Sequence, residues 1–418
     1  MPSALQQLSI LAASKFITMK NLIALSLAMI TFLTAHAQNH MTPEILWKLG
    51  RVSPMGITKD GNAVLIKVSY PNVEENKFES KYFSVAITDG KTTEVTDYKN
   101  LIHNNRISPN GELEIYSKLV AVEKVLGNER HQDLNKSDAY VFDELNYRHW
   151  DHWRNGHYKH IFIRKAGSDE EGLDLMPNEP FDCPQSPFGG DEDFIWNPSG
   201  TAVVYVSKKK SGTAAATSTN TDIFEYQLDT KKTINLTEQN AGYDIAPQFN
   251  DRGDLAYIQM KRDGYEADKH DLVVQFGNRK ENLTENWKGT VNSFKWAPDN
   301  DNIFFLAPVD GTIQLFTVNL PKGGMTSPTV RQLTSGIFDI TSIIGFKGDL
   351  ILVGRSNMNQ ANEVYSYNLK NRQWKQLSKI NEPIYKNIHF SKIEKQYIKT
   401  TDGKKMLTWV IYPPNFDP

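Results

Sequence analysis

An all-β fold, a β-propeller of four-stranded blades, is predicted by three observations in the sequence. One pattern recurs along the chain: a short apolar strand, a turn built from Pro, Asn, Asp or Gly, and a second apolar or alternating strand. It is legible in "LIHNNRISPNGELEIYSK", "DEDFIWNPSGTAVVYVSK", "YDIAPQFNDRGDLAYIQM", "VNSFKWAPDNDNIFFLAP" and "ITSIIGFKGDLILVGRS", with a looser copy in "RVSPMGITKDGNAVLIKVS". Most copies are followed by another strand and a closing hairpin, as in "TDIFEYQLDTKKTINLT", "HDLVVQFGNRKENLT", "IQLFTVNLPKGGMTSPTVRQLT" and "NEVYSYNLKNRQWKQLS". In these second halves an Asp or Asn before the strand and a terminal Leu-Thr or Leu-Ser return at matching places. Aromatic residues at 11%, with 26 Gly and 19 Pro, add a composition that suits strands and turns.

The physical logic favours a ring. One four-stranded sheet cannot bury both of its faces, whereas sheets stacked radially cover one another and leave only short edges, at a spacing of roughly 50 residues per unit. Seven blades are expected, with six and eight left open. The stretch from Ile107 to Pro198 is longer than its neighbours, and "KNIHFSKIEKQYIKTT" reads as part of a closing blade.

Taken in chain order, residues 1–37 hold an upstream extension and a signal peptide. The peptide starts at Met19 with Lys20, runs apolar from Leu22 to Leu33, and ends Ala35-His36-Ala37 ahead of Gln38. That apolar run is short for a membrane span, and no stable membrane insertion is expected. The protein is read as exported, periplasmic or secreted. The propeller is assigned to 38–398. Within it, "KKKSGTAAATSTN" is a small-residue loop on a rim, and Val120 to Tyr158 is an insertion rich in charge and aromatics. Residues 399–418 carry an Asp402-Gly403 hairpin signal, a strand from Met406 to Tyr412, and a break at Pro413-Pro414.

A net charge of −2 in 418 residues gives no electrostatic case for nucleic acid or an anionic membrane surface. Cys183 is the sole cysteine, so no intramolecular disulfide forms; the residue reads as a small buried hydrophobe. The sequence contains no G-x-S-x-G, no Gly-rich phosphate loop and no H-E-x-x-H. No cofactor is called for.

Two strings are dense enough in charge to matter. "DELNYRHWDHWRNGHYKHIF" holds His149, His152, His157 and His160 close to Asp151, but their spacing fits no common zinc pattern, so no metal site is assigned. The same string offers Glu144, Arg148 and Asp151 beside Trp150 and Trp153, a set suited to holding the charged end of a peptide, although loop salt bridges look alike in sequence. "MKRDGYEADKHDL" adds Arg262 and Glu266 as weaker candidates, with an intrablade ion pair as the plainer reading.

"RHWDHWRNGHYKHIF", "STNTDIFEY", "RDGYEADK" and the terminal "TTDGKKMLTWVIYPPNFDP" together resemble the prolyl oligopeptidase family of serine peptidases, in its dipeptidyl peptidase V and acylaminoacyl-peptidase branch. The resemblance runs from about Met41 to the last residue. It implies a propeller that precedes an α/β-hydrolase domain, admits short peptides and helps to hold their N-termini. In that family Ser, Asp and His lie in the hydrolase domain, so no catalytic residue carries over to a position here. Residues 399–418 then read as a strand and linker leading toward a hydrolase domain absent from the sequence, and a separately encoded hydrolase is an implied partner beside short peptide substrates. The paired-glutamate motif of the dipeptidyl peptidase IV branch has no equivalent. The competing expectation is a stand-alone TolB-like periplasmic binding or scaffold propeller.

Overall fold

The first hairpins of sheets 3, 4 and 5 have turns written in side-chain chemistry. In Asn197-Pro198-Ser199-Gly200, the Asn197 side-chain oxygen accepts the backbone N–H of Thr201 and Ala202 at 2.9 and 3.0 Å, and Gly200 takes φ +69°. Asn250 repeats the device with Asp254 and Arg252, and Gly253 sits at φ +88°. Asp299 does the same for Asp301 and Asn302. Such side chains satisfy turn amides that would otherwise go unpaired.

A computed structural model describes residues 40–321 and 327–417; the expected signal peptide lies outside the described residues. Six antiparallel sheets follow one another along the chain, and the fold is a β-propeller of six blades. Sheet 1 is Arg51–Ile57, Ala63–Asn72, Lys77–Ala86 and Thr92–Glu94. Sheet 2 is Leu113–Ala121, His157–Lys165 and Leu173–Asp174, with its first strand reduced to the bridge between Ile107 and Glu114. Sheet 3 starts at Phe194–Trp196, sheet 4 at Asp244–Phe249, sheet 5 at Ser293–Trp296 and sheet 6 at Asp339–Lys347. Each of these four runs in sequence order through four strands.

The favoured count of seven is corrected to six. The long stretch after Ile107 holds one blade, because its extra length leaves sheet 2 as an insertion between Ala121 and His157. The strand Ile393–Lys399, expected in a closing blade, pairs with Lys405–Ile411.

The recurrent Leu-Thr or Leu-Ser has a structural reason. In sheet 3, Leu236 N–H donates to the carbonyl of Ile223, while Ile223 N–H donates to Thr237 Oγ1 at 2.9 Å. The Thr237 hydroxyl in turn donates to Asp222, the residue that opens the third strand. Sheet 4 repeats this clasp with Leu272, Thr284 and Asp271, sheet 5 with Leu315, Thr334 and Gln314, and sheet 6 with Val364, Ser378 and Glu363. All four hydroxyl residues are buried. In sheet 2, Leu175 N–H donates to the carbonyl of Ile161 as Leu236 does to Ile223. That puts Met176 in the place of the hydroxyl residue and the fully buried His160 in the place of Asp222; the His160 ring bonds Asp174 and the carbonyl of Glu179, both at 2.8 Å.

Apolar clusters join neighbouring sheets at five junctions, 2/3, 3/4, 4/5, 5/6 and 6/1. The ring therefore closes by side-chain packing between sheets 6 and 1, without a strand passing from one to the other. Val52, Val64, Ile66 and Val68 meet Leu352 and Val364 there, and Asn362 Nδ2 donates to the carbonyl of Val52 at 2.9 Å. The 1/2 junction is different. Beyond the buried Leu65, that side of sheet 1 carries Lys67 and Ser69, and the side of sheet 2 away from its cluster carries Glu114 paired with Arg164 at 3.0 Å. Among the described residues, no buried apolar cluster spans this seam.

Residues 40–49 and 381–417 belong to a second unit. It holds a helix, Pro43–Lys48, capped by Thr42, and the hairpin of Ile393–Lys399 with Lys405–Ile411, turned at Asp402-Gly403 where Gly403 has φ +80°. The expected hairpin signal is thus a hairpin.

Replacing Thr284 by Val keeps the shape but strands the buried Leu272 N–H and removes a donor from Asp271. Urea unfolding should show a loss of about 2–3 kcal/mol, with Thr284→Ser within about 1 kcal/mol of the parent. An unchanged midpoint for Thr284→Val would sink the clasp account.

Candidate functional site

In an up-and-down blade order, the loops joining second to third strands all reach one rim. On sheets 2, 3 and 4 these loops are 122–156, 208–221 and 260–270; the last two are hydrogen-bonded to each other, and the first lies against the second. Asp263, from the sheet 4 loop, accepts from Ser218 Oγ at 2.8 Å and Thr219 N–H at 2.7 Å in the sheet 3 loop. Glu144, from the insertion, comes within 3.0 Å of where a Cβ on Gly212 would sit. The small-residue loop carries a short helix, Gly212–Thr217, and is pinned by Lys208 Nζ, which donates to the carbonyls of Ala215 and Ser218.

The insertion is organised by aromatic rings. Trp153 lies in a run of near-parallel rings with Tyr140, Phe142 and Tyr147, at centroid distances of 6.1–6.2 Å. Arg148 sits opposite Trp153 in a two-stranded hairpin, with its guanidinium 5.6 Å over that ring. Trp150 and Asp151 form the hairpin tip, and Trp150 adopts φ +48°. Trp150 is 64% exposed and meets Phe188, 79% exposed, edge-on at 5.5 Å. Asp151 pairs with His152 at 3.3 Å in full solvent, where such a pair adds little. Arg148, Trp150, Asp151 and Trp153 are therefore one exposed hairpin.

The sheet 4 candidates divide. Arg262 is held by Asp268 through two bonds, one from Nε at 2.6 Å, and stacks 4.2 Å over Tyr265, so it stands in the intrablade ion pair. Glu266 is exposed and lies within electrostatic reach of Lys208 and Tyr243. Burial pulls the Lys208 ammonium below its usual pKa and Arg154 adds to this, while Asp263 and Glu266 oppose it.

Three rim residues escaped the sequence reading. Arg154 donates to Asp182 at 2.9 Å and lies over Tyr158, whose hydroxyl donates to Glu123 at 2.6 Å. Burial, then Glu123, push the Tyr158 hydroxyl well up. Lys208 stood in a lysine run that reads as a solvated loop, and Asp263 in a turn that needs no further role. Their convergence is a property of three loops together, which no local string displays. The rim thus mixes carboxylates, cations and exposed indoles, and can take both a charged terminus and an apolar side chain.

The histidines do not form one site. His160 is the buried clasp of sheet 2, His157 bonds the carbonyl of Asn155, and His149 and His152 face each other across the hairpin. Among the described residues, no group of three or more His, Cys, Asp or Glu is arranged to hold a metal. Cys183 is buried in the cluster between sheets 2 and 3, where burial drives its thiol pKa well up.

No family model matches the chain. The dipeptidyl-peptidase 5 of Porphyromonas gingivalis is 30% identical over 427 residues, covering 90% of this chain and 61% of that protein. The dipeptidyl-peptidase 5 of Porphyromonas endodontalis is 29% identical, covering 90% and 60%. Among solved structures, Pyrococcus horikoshii acylaminoacyl peptidase shares the fold with a TM-score of 0.62, at 15% identity over 90% of this chain and 60% of that one. This chain is a β-propeller similar in sequence to the dipeptidyl-peptidase 5 proteins and in fold to the acylaminoacyl peptidase structure. It spans about three fifths of the length of the curated relatives it matches. Among the described residues, no helix is long and apolar enough to cross a membrane.

Beside Cys183, burial pushes the Asp193 carboxyl up to about 6, against the hydrogen bond it accepts from Gln185 N–H at 2.8 Å. A folded pKa above the unfolded one contributes stability that is full below about pH 4 and lost as pH rises through about 6. Asp193→Asn keeps the acceptor and removes the charge. Parent and variant unfolding free energies should therefore diverge by roughly 2 kcal/mol between pH 4 and 7, the parent falling. Parallel pH profiles would contradict the assignment.

Proposed function

We propose that this chain is the substrate-gating propeller of an exported serine exopeptidase of dipeptidyl or acylaminoacyl type, acting on short peptides. The observation that carries the reading is the rim of loops 122–156, 208–221 and 260–270 on a propeller whose sequence is similar to the dipeptidyl-peptidase 5 relatives. In this reading the rim faces the hydrolase portion that the resemblance implies, whether that portion belongs to the same protein or is supplied as a separate chain. Ring closure and the loop rim exclude folded proteins, and the exposed Trp150 hairpin with Glu144 and Glu266 receives the N-terminal end of a peptide. A carboxylate near an ammonium group favours the charged terminus, and an indole face covers the first apolar side chain. Export is supported by the sequence pattern from Met19 to Ala37. The 418 residues contain no G-x-S-x-G, and the chain by itself is taken to be without hydrolase activity.

The test is a chimera. Residues 40–418 of this chain are joined to the portion of the Porphyromonas gingivalis relative that they do not match, and release of dipeptides from chromogenic substrates is followed. Activity on short peptides and none on a folded protein is expected. Trp150→Ala should raise KM about tenfold while leaving the unfolding midpoint within error, since the ring is exposed. A chimera that folds and cleaves a natively folded protein as readily as a tetrapeptide would overturn gating.

A further inference from the structure

The junction of sheets 5 and 6 holds two cations that nothing in it neutralises. Arg355 closes the second strand of sheet 6, Leu350–Asn357, just before the tight turn from Asn357 to Gln360 that carries the chain to the third strand. It therefore stands at the same rim as the loops over sheets 2 to 4. Its guanidinium carbon lies 3.9 Å from the ring centre of Phe338, 4.8 Å from Tyr365 and 4.9 Å from Trp374. These rings belong to the cluster that packs sheet 5 on sheet 6. No described residue accepts a hydrogen bond from the guanidinium or forms an ion pair with it. The carboxylate opposite in register, Glu363, receives the Ser378 hydroxyl.

Lys295 is the second cation. It lies directly across from Phe304 in sheet 5, on the face that packs toward sheet 6, and no described carboxylate or carbonyl meets its ammonium. Burial alone lowers its pKa, and burial leads the lowering at Arg355. Charges in such a setting elsewhere in this protein have acceptors: Arg154 has Asp182, Arg164 has Glu114, and Lys209 has Glu179.

A guanidinium stacked on rings keeps its N–H edge free, and that edge matches the two oxygens of a carboxylate. The stacking fixes its orientation, so little freedom is lost when an anion docks, and the apolar box strengthens the attraction. We propose that Arg355 is a carboxylate-binding residue for a short peptide, with Lys295 adding to the positive field of the same junction. The inference rests on the reading of this chain as a peptide-handling propeller and extends it to the acidic end of the ligand.

Titration calorimetry on the full 418-residue chain tests it with three probes: tri-alanine as the free acid, tri-alanine C-terminal amide, and Ala-Ala-Glu C-terminal amide. The free acid should bind at least about tenfold more tightly than its amide, and Arg355→Met should abolish that preference while Arg355→Lys retains part of it. Tight binding of Ala-Ala-Glu amide assigns the site to side-chain carboxylates as well, and weak binding assigns it to the C-terminus; both support the proposal. Equal binding of acid and amide by the parent chain, or a preference that survives in Arg355→Met, overturns it and leaves peptide handling intact. Binding of none of the three overturns both. The acid-to-amide comparison on the parent chain decides the matter even where a variant does not fold.

Discussion

The buried hydroxyl that ends a blade is the interaction on which the architecture depends. In sheets 3 and 4 it receives the second N–H of the third strand and donates to the Asp that opens that strand. In sheets 5 and 6 it meets Leu315 with Gln314 and Val364 with Glu363 inside the strand. The short outer strand is thus fastened where its own ladder is only three or four residues long. Without it, the backbone N–H of Ile223, Leu272, Leu315 or Val364 would lose its acceptor. Sheets 3 to 6 all use the clasp, and sheet 2 substitutes a buried His160–Asp174 pair. Fastened edges allow the sheets to stand as rigid walls whose faces pack on their neighbours.

Ring closure follows from those walls. Sheets 6 and 1 meet through an apolar cluster of the same kind as the other junctions, so the closing step needs no exchanged strand. The polar 1/2 seam is the exception. There the linking segment packs back on sheet 1, with Tyr98 stacked 3.5 Å from Tyr82 and Leu101 accepting from Lys59 N–H. A ring with one weakly packed junction opens there first, and local opening draws on the regions with fewest buried apolar contacts.

Much of this was legible in the sequence because it is local. Turn residues such as Asn197-Pro198-Ser199-Gly200 declare themselves, and the recurring Leu-Thr marked blade ends before its hydrogen bonds were known. The blade count was not legible, since a 35-residue insertion between Ala121 and His157 mimics the spacing of an added blade. The hairpin of Arg148 to Trp153 was visible as a charged aromatic string, and Arg262 proved to be the ion pair that its neighbours suggested. Lys208, Asp263 and Arg154 were hidden, because their meaning comes from three loops meeting across separate blades. Arg355 was hidden for a related reason: its three rings come from positions spread over 338–374.

In the proposed reading, a ring of fastened sheets with a chemically mixed rim sorts peptides. The central claim of that reading is that the rim over sheets 2 to 4 is where peptides are met. The most direct measurement is photo-crosslinking of the chain with a tripeptide that carries a benzophenone side chain, followed by mapping of the labelled residues by mass spectrometry. The account predicts label within 122–156, 208–221 and 260–270. Label confined to the opposite rim, in the turns such as Asn197–Gly200 that join first to second strands, would contradict it.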